Sequence, residues 1–295
     1  MPKTTARITT NDVLGVLRFY QQEHRVIAHQ RVRYAIKALE RFFAGKKVSQ
    51  IDIPLCRQYV AHRMGEGAAM STAARELTTL RAACNHALRW KRINPAHTPT
   101  FEIPADLPKR EIWLFKDELR KLLDCALESD ALEVHAFIKI AYGTGSRRRA
   151  IEQLEWNQVD FHRRTITLAK RGEPKSNKKR PVVPIGDLYD FMMELYEKSE
   201  TGFVLGTDAD LLYEFTKVCK AAGLLEVGER GGRPSGRITP HVLRHSRATH
   251  LLEDGVSIYA VAKLLGDTPM TVQKTYGHIS MGSLEDELSK SSIML

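Results

Sequence analysis

The stretch at residues 239–250, "TPHVLRHSRATH", places three histidines and two arginines within barely three helical turns. Thr239 followed by Pro240 predicts an N-cap and a first helical position, and Gly255 predicts the C-terminal stop, so the segment between them reads as a helix. On that helix His241 lies one turn from both Arg244 and His245, while Val242, Ala248, Leu251 and Leu252 are free to enter a core. One helical face therefore combines proton-handling groups with a phosphate-binding group.

The chain around this helix is long enough, at 295 residues, for two domains with a core each, and its 43% hydrophobic content is that of a globular protein. Lys and Arg outnumber Asp and Glu by 45 to 35, a net charge of +10 that favours a polyanionic partner, nucleic acid first, although a merely basic enzyme has the same balance. Cys56, Cys84, Cys125 and Cys219 are far apart with no C-x-x-C pair, which predicts reduced core cysteines and no zinc knuckle or disulfide framework. The opening "MPKTTARITTND" has no apolar targeting region, and no apolar run reaches the length of about 20 residues that a membrane span requires. A cytoplasmic, nucleoid-associated protein is expected.

Residues 1–94 read as a helical domain. Val13, Val16, Leu17 and Tyr20 form one stripe, and Val32, Ile36, Leu39 and Phe43 form a second that Gly45 ends. Pro54 starts a third helix and Ser71 caps a fourth, whose inward residues are Leu77, Leu80, Cys84 and Leu88. The outward residues Arg75, Arg81 and Arg89 suit a surface lying on phosphates, or equally a solvated face. The proline-rich, aperiodic residues 95–110 predict a linker, and residues 111–280 a second domain. There, helices over 116–127, 132–142 and 210–222 are joined by "RTITLA" and "RPVVPI", strands of a hairpin around a lysine-rich turn, with "FVL" at 203–205 as a third strand. The predicted fold class is mainly α with a small β-sheet.

Three segments carry clustered cations: Arg147, Arg148 and Arg149 after a "TG" turn; Lys175, Lys178, Lys179 and Arg180 in the hairpin; and His241, Arg244 and His245 on one helix. A fourth, "VAKLLGDTPMTVQKTYGHIS", ends one helix at Gly266, starts another at Thr268 and Pro269, and brings Tyr276 late into it. "TG-x-R" at 144–147, "H-x-x-R-H" at 241–245, "LLG" at 264–266 and "Y-G-H" at 276–278, in this order and spacing, resemble the tyrosine recombinases, or phage integrases. The helical front half resembles that family's SAM-like core-binding domain, so the likeness covers nearly all of the chain.

The resemblance implies an α+β catalytic domain and a C-shaped clamp on double-stranded DNA. A tyrosine hydroxyl attacks a phosphodiester, forms a 3′-phosphotyrosyl link and expels a 5′-hydroxyl, with no metal and no ATP. The sequence accordingly has no G-x-x-x-x-G-K-[ST] loop and no clear metal-ligand constellation. By motif position Tyr276 is the nucleophile, and Arg147 and Arg244 clamp the scissile phosphate with planar guanidinium forks. His241 either accepts the tyrosine proton or bonds a non-bridging oxygen. A hairpin lysine, Lys175 or alternatively Lys178, protonates the leaving oxygen. Arg148, Lys178, Lys179 and Arg180, with Arg75 and Arg81, are candidate DNA contacts.

Asp267 stands directly after "LLG", where many relatives of this family carry histidine. A carboxylate about 4 Å from a phosphate repels it by roughly 1–4 kcal/mol, so it does not replace the imidazole. Asp267 is expected to accept a hydrogen bond from Arg147, Arg244 or a protonated neighbour and orient the clamp; the competing expectation is reduced activity. His245 is expected to buttress the fold or the clamp, His250 to pack or cap, and His278 to lie at the surface. The tail, residues 281–295, either docks on a neighbouring protomer or folds back on its own domain. The resemblance implies a homo-tetramer on two duplexes that integrates, excises or resolves DNA, with an accessory DNA-bending protein as a possible partner. The rivals are a DNA-binding regulator of the same fold that has lost catalysis and a type IB topoisomerase-like relaxing enzyme.

Overall fold

The computed structural model describes residues 11–23, 30–105, 112–168, 181–206, 211–230, 233 and 235–277. The chain divides into two compact units, Met1–Lys109 and Arg110–Leu295.

The first unit contains α1 (Val13–Glu23), α2 (Gln30–Phe43), α3 (Ile53–Gly65) and α4 (Met70–Arg89). Helix α4 is the central element, packed by the other three. Its inner face intersperses the small Ala73, Ala83 and Ala87 with Leu77, Leu80 and Cys84, which lets neighbouring helices approach closely. Val16 and Leu17, Ile36, Leu39 and Phe43, and Tyr59 complete this core. Each such apolar side chain contributes roughly 1.5–3 kcal/mol when removed from water. Asp52 caps α3 by accepting from the Leu55 amide at 2.8 Å. Helix α4 starts two residues earlier than the Ser71 cap predicted, with Ala69 in the cap position and no side-chain cap. The buried Glu76 carboxylate accepts from the Tyr59 hydroxyl at 2.7 Å and from Arg63 Nε and Nη2 at 2.9 Å each, which offsets its desolvation. Residues 95–105, read from sequence as connecting chain, lie along this unit: the Thr100 amide donates to the Ile51 carbonyl at 3.0 Å, and Phe101 and Ile103 pack on the core.

The second unit runs α5 (Lys116–Glu128), α6 (Leu132–Thr144), α7 (Arg148–Glu152), β1 (Val159–Asp160), β2 (Thr165–Thr167), β3 (Val182–Pro184), α8 (Tyr189–Glu197), α9 (Leu211–Ala221), β4 (Glu226–Val227), β5 (Gly236–Arg237), α10 (His241–Glu253), α11 (Ile258–Leu265) and α12 (Pro269–Tyr276). Helix α6, with Val134, Phe137, Ile138, Ile140 and Ala141 buried, is surrounded by α5, α7, α9 and α10. The expected hairpin is present, with β2 and β3 antiparallel and Ile166 opposite Val183, both fully buried.

The third strand is not the predicted 203–205. It is β1, paired with β2. Phe203 makes only an isolated bridge to Glu155, because the Trp156 amide donates to the Gly202 carbonyl and the Val204 amide to that of Leu154, which pins this segment to the turn before β1. Helix α7 stops at Glu152, and a single 3-10 turn, Trp156–Gln158, follows. The start of α10 also differs from expectation. Thr239 makes no side-chain cap; its carbonyl accepts from the Val242 amide while Pro240 is already in helical conformation.

Helix α10 lies between two cores. Val242 and Leu243 belong to the main cluster of this unit, whereas Ala248 and Leu252 join Val261, Ala262, Leu265, Val272 and Tyr276 in a second cluster built by α10, α11 and α12. This sandwiching fixes the helix that carries the histidines and arginines. Among the described residues, no helix is long and apolar enough to cross a membrane.

Candidate active site

Three chain reversals bring the candidate residues together. The first closes α6: Gly145 adopts a left-handed conformation (φ 63°), and Arg147 follows in extended conformation before α7. A side chain at Gly145 would put its Cβ 2.6 Å from Leu265 Cδ2, so glycine is demanded both by the turn and by the close approach of α11. The second reversal closes α11: Gly266 is left-handed (φ 65°), and the Asp267 amide donates to the Ala262 carbonyl at 3.0 Å, a Schellman ending that aims Asp267 back along the helix end. The third starts α12, where the Thr268 hydroxyl accepts from the Thr271 amide at 3.2 Å and Pro269 occupies the first turn.

Arg244, only 4% exposed, reaches across to all of these ends. Its Nη1 donates to the Gly145 carbonyl at 2.8 Å and its Nη2 to the Leu265 carbonyl at 2.9 Å. Nη2 also pairs with Asp267 Oδ2. The guanidinium thus meets the negative ends of two helices and a carboxylate, three acceptors that offset its desolvation. Arg147 is more open, and its Nη2 donates to the other oxygen, Asp267 Oδ1, at 3.0 Å. One carboxylate therefore bridges two guanidinium groups and balances their mutual repulsion. Burial first, then Arg147, would lower the affinity of Arg244 for its proton, and Asp267 counters this.

The histidines and the tyrosine form the adjoining part of the site. Tyr276 ends α12 and is 6% exposed; one turn earlier, Val272 anchors it in the second core. Its hydroxyl lies 2.6 Å from His245 Nδ1. The His241 ring packs edge-on against His245, with centroids 4.7 Å apart. Both imidazoles are held neutral at pH 7. Burial, then His241 and Arg244, push His245 down to about 4, and His241 is lowered by burial, then by Arg244 and Arg147.

Of the site residues read from sequence, Arg147, His241, Arg244, Asp267 and Tyr276 are brought to this one place, from α6–α7, α10, the α11–α12 turn and α12. Arg148 pairs with Glu152 at 3.5 Å on α7 and is not drawn into the cluster by any hydrogen bond described above. Arg75, Arg81 and Arg89 are exposed on α4 of the first unit. Lys175, Lys178, Lys179 and Arg180, His278 and the tail 281–295 lie outside the described residues. His250 packs, as expected: it is 2% exposed, and its Nδ1 is 2.9 Å from the Tyr142 hydroxyl. Sequence reasoning missed the closeness of His245 to Tyr276. The one-turn spacing puts His245 on the same face as His241 but carries no signal for Tyr276, which sits on another helix. It also missed the Gly145 and Leu265 carbonyls, which carry no sequence signature. Among the described residues no group of three or more His, Cys, Asp or Glu could hold a metal ion.

The chain is similar to the tyrosine recombinase XerD of Staphylococcus epidermidis, 27% identical over 263 residues that cover 85% of this chain and 88% of the relative. It is also similar to XerC of Halalkalibacterium halodurans, 29% identical over 254 residues covering 80% of each. Its fold matches that of the Tn1549 transposon integrase solved with transposon right-end DNA, at a TM-score of 0.73 and 16% identity over 95% of this chain and 99% of that one. A lambda integrase tetramer bound to a Holliday junction matches at 0.65 and 20% identity, over 91% and 78% of the two chains. Residues 113–282, more than half of the chain, match the profile of the phage integrase family. The chain therefore belongs to the phage integrase family, the tyrosine recombinases.

Proposed function

We propose that this recombinase cuts and rejoins double-stranded DNA at specific sites through a 3′-phosphotyrosyl intermediate formed on Tyr276. The observation that supports this reading is the meeting of Arg147, Arg244, the paired histidines and Tyr276, drawn from separate stretches of sequence by the three turns.

In this mechanism Arg147 and Arg244 bind the non-bridging oxygens and offset the charge that builds on five-coordinate phosphorus. His241, solvent-accessible at the start of α10, bonds a phosphate oxygen or receives a proton. Asp267 holds both guanidinium groups in register. Lys175 or Lys178 protonates the departing 5′-oxygen. The phosphotyrosyl link conserves the energy of the broken ester, so rejoining requires neither ATP nor a metal.

Relatives solved on DNA, including the lambda integrase tetramer on a Holliday junction, favour assembly of four protomers on two duplexes. The exposed arginines Arg75, Arg81 and Arg89 suit sequence-independent contacts to phosphate, and an accessory bending protein is a compatible partner. The test is incubation with a library of nicked duplexes, denaturation, and sequencing of the DNA left covalently on protein. A shared sequence in the recovered DNA, with none recovered by Tyr276→Phe, is expected. Recovery by Tyr276→Phe equal to the wild type would contradict the assignment, and relaxation of any plasmid regardless of sequence would favour a topoisomerase-like role instead.

A further inference from the structure

The family resemblance gives the proton-handling role to His241, yet the imidazole in contact with the phenol is that of His245. The Tyr276 hydroxyl and His245 Nδ1 are 2.6 Å apart, within the range required of a general base and its donor. The contact is held from both sides. His245 is fixed on α10 with the His241 ring edge-on against it, and Tyr276 is seated in the core that α10, α11 and α12 share.

We propose that His245 is a catalytic residue that receives the Tyr276 proton as the phenolic oxygen attacks phosphorus; this rests on the reading of Tyr276 as nucleophile. The bond from Oη to phosphorus forms while the O–H bond breaks, its proton passing to His245 Nδ1. The bond from phosphorus to the 5′-oxygen breaks, and that oxygen is protonated by the hairpin lysine. On rejoining, the incoming 5′-hydroxyl gives its proton back to the hairpin lysine as it displaces Tyr276, and the His245 imidazolium returns the other proton to the phenolic oxygen. No other reactant is required. His241 is then left to hydrogen-bond a non-bridging phosphate oxygen.

The surrounding charges suit this role. His241 and Arg244 on the same helix face His245, Tyr276 faces it from α12, and Arg147 and Asp267 lie beyond Arg244. Without DNA, burial and the two neighbours on α10 keep the imidazole neutral and able to accept. So weak a base does not take the phenolic proton ahead of attack, and transfer is concerted with bond formation. A phosphate seated on Arg244 neutralises part of the charge that weakens this base, and His245 becomes a stronger acceptor when substrate is bound. The mechanism demands one tautomer in the free protein, with the proton on Nε2 and the lone pair on Nδ1.

The test combines two measurements on the full chain. Nitrogen-15 NMR of histidine-labelled protein, with the His245 signals assigned from the His245→Asn variant, is expected to show Nδ1 unprotonated and Nε2 protonated at pH 7; the reverse tautomer overturns the proposal. Single-turnover cleavage of a nicked duplex is then compared with that of the same duplex carrying a 5′-bridging phosphorothiolate, whose leaving group needs no acid. His245→Asn and His245→Ala, each shown by thermal melting to be folded, are expected to cleave both substrates about 100-fold or more slowly than the wild type. Alanine variants of Lys175 or Lys178 that remove the acid are expected to recover on the sulfur substrate. Recovery of His245→Asn on that substrate, or cleavage by it at the wild-type rate, overturns the role. Failure of the underlying reading has a different signature, covalent adduct formed by Tyr276→Phe, and the role assigned to His245 falls with it.

Discussion

Arg147 donates to Asp267 at 3.0 Å across 120 residues of chain, and the second oxygen of the same carboxylate is held by Arg244. In the proposed mechanism this bridge is what lets a chain with aspartate after "LLG" keep two arginines aimed at one phosphate. Without the carboxylate, two cations face each other in a partly buried setting, and Arg147, the more exposed of the two, is free to turn into solvent. Asp267→Asn and Asp267→His are therefore both expected to slow single-turnover cleavage of a nicked duplex by about 10- to 100-fold, a loss of roughly 1.4–2.7 kcal/mol in transition-state stabilisation. Faster cleavage by Asp267→His would show that the aspartate impairs the enzyme instead.

The two arginines differ in what else depends on them. Among the described residues Arg147, its side chain 37% exposed, bonds Asp267, whereas Arg244 is buried and satisfies two helix-end carbonyls as well as Asp267. Urea denaturation is expected to show Arg147→Ala within about 1 kcal/mol of the wild type. Arg244→Ala is expected to lose about 2–4 kcal/mol, because it leaves buried acceptors without a donor. Both variants should lose cleavage by at least about 100-fold. Equal stability of the two variants would contradict the bracing role given to Arg244.

Gly145→Ala tests the turn that feeds Arg147 into the site. The alanine must adopt φ 63° and place its Cβ 2.6 Å from Leu265 Cδ2. A combined cost of roughly 2–4 kcal/mol is expected from backbone strain and overpacking. Because the Gly145 carbonyl also receives Arg244, cleavage should fall even where the variant is fully folded. A neutral effect in both measurements would show that the α6–α11 contact is not tight.

Stability should depend on pH through the imidazoles that folding desolvates. The unfolded chain protonates histidine near 6.5, while folded His245 resists protonation until about 4. Below 6.5 the unfolded state therefore binds more protons, and stability is lost as pH falls from 6.5 to about 4, with the full contribution present above 6.5. His241 and His250, also lowered chiefly by burial, add in the same direction. For His245 alone the loss is on the order of 1–3 kcal/mol. Urea midpoints measured for the wild type and His245→Asn across this range should converge as pH falls; parallel curves would rule out His245 as a contributor.

The helices and much of the site were legible in the sequence because their signals are local. Pro54, Gly266 and Thr268 mark helix ends by their own backbone and capping chemistry, and each stands where expected. The spacing within "HVLRH" states that His241, Arg244 and His245 share a face. The illegible parts depend on partners distant in the chain. Residues 203–205 have strand-like composition, but backbone bonds at Gly202 and Val204 tie them to 154–156 instead of to the sheet. The two-residue strands β4 and β5 are too short for an alternating pattern to register. The Asp267 bridge could be anticipated only because the family resemblance placed both arginines at one phosphate. The contact from Tyr276 to His245 depends on how α12 packs against α10, which no spacing along the chain encodes.

The attacking atom is the point on which the whole mechanism turns, and peptide mapping reads it directly. The adduct formed on a nicked duplex would be digested with nuclease and trypsin, and the nucleotide remnant located by tandem mass spectrometry. The expected remnant lies on Tyr276, in the tryptic peptide 275–290. A remnant on any other residue, or an unmodified 275–290 peptide beside a covalent adduct, would contradict the account.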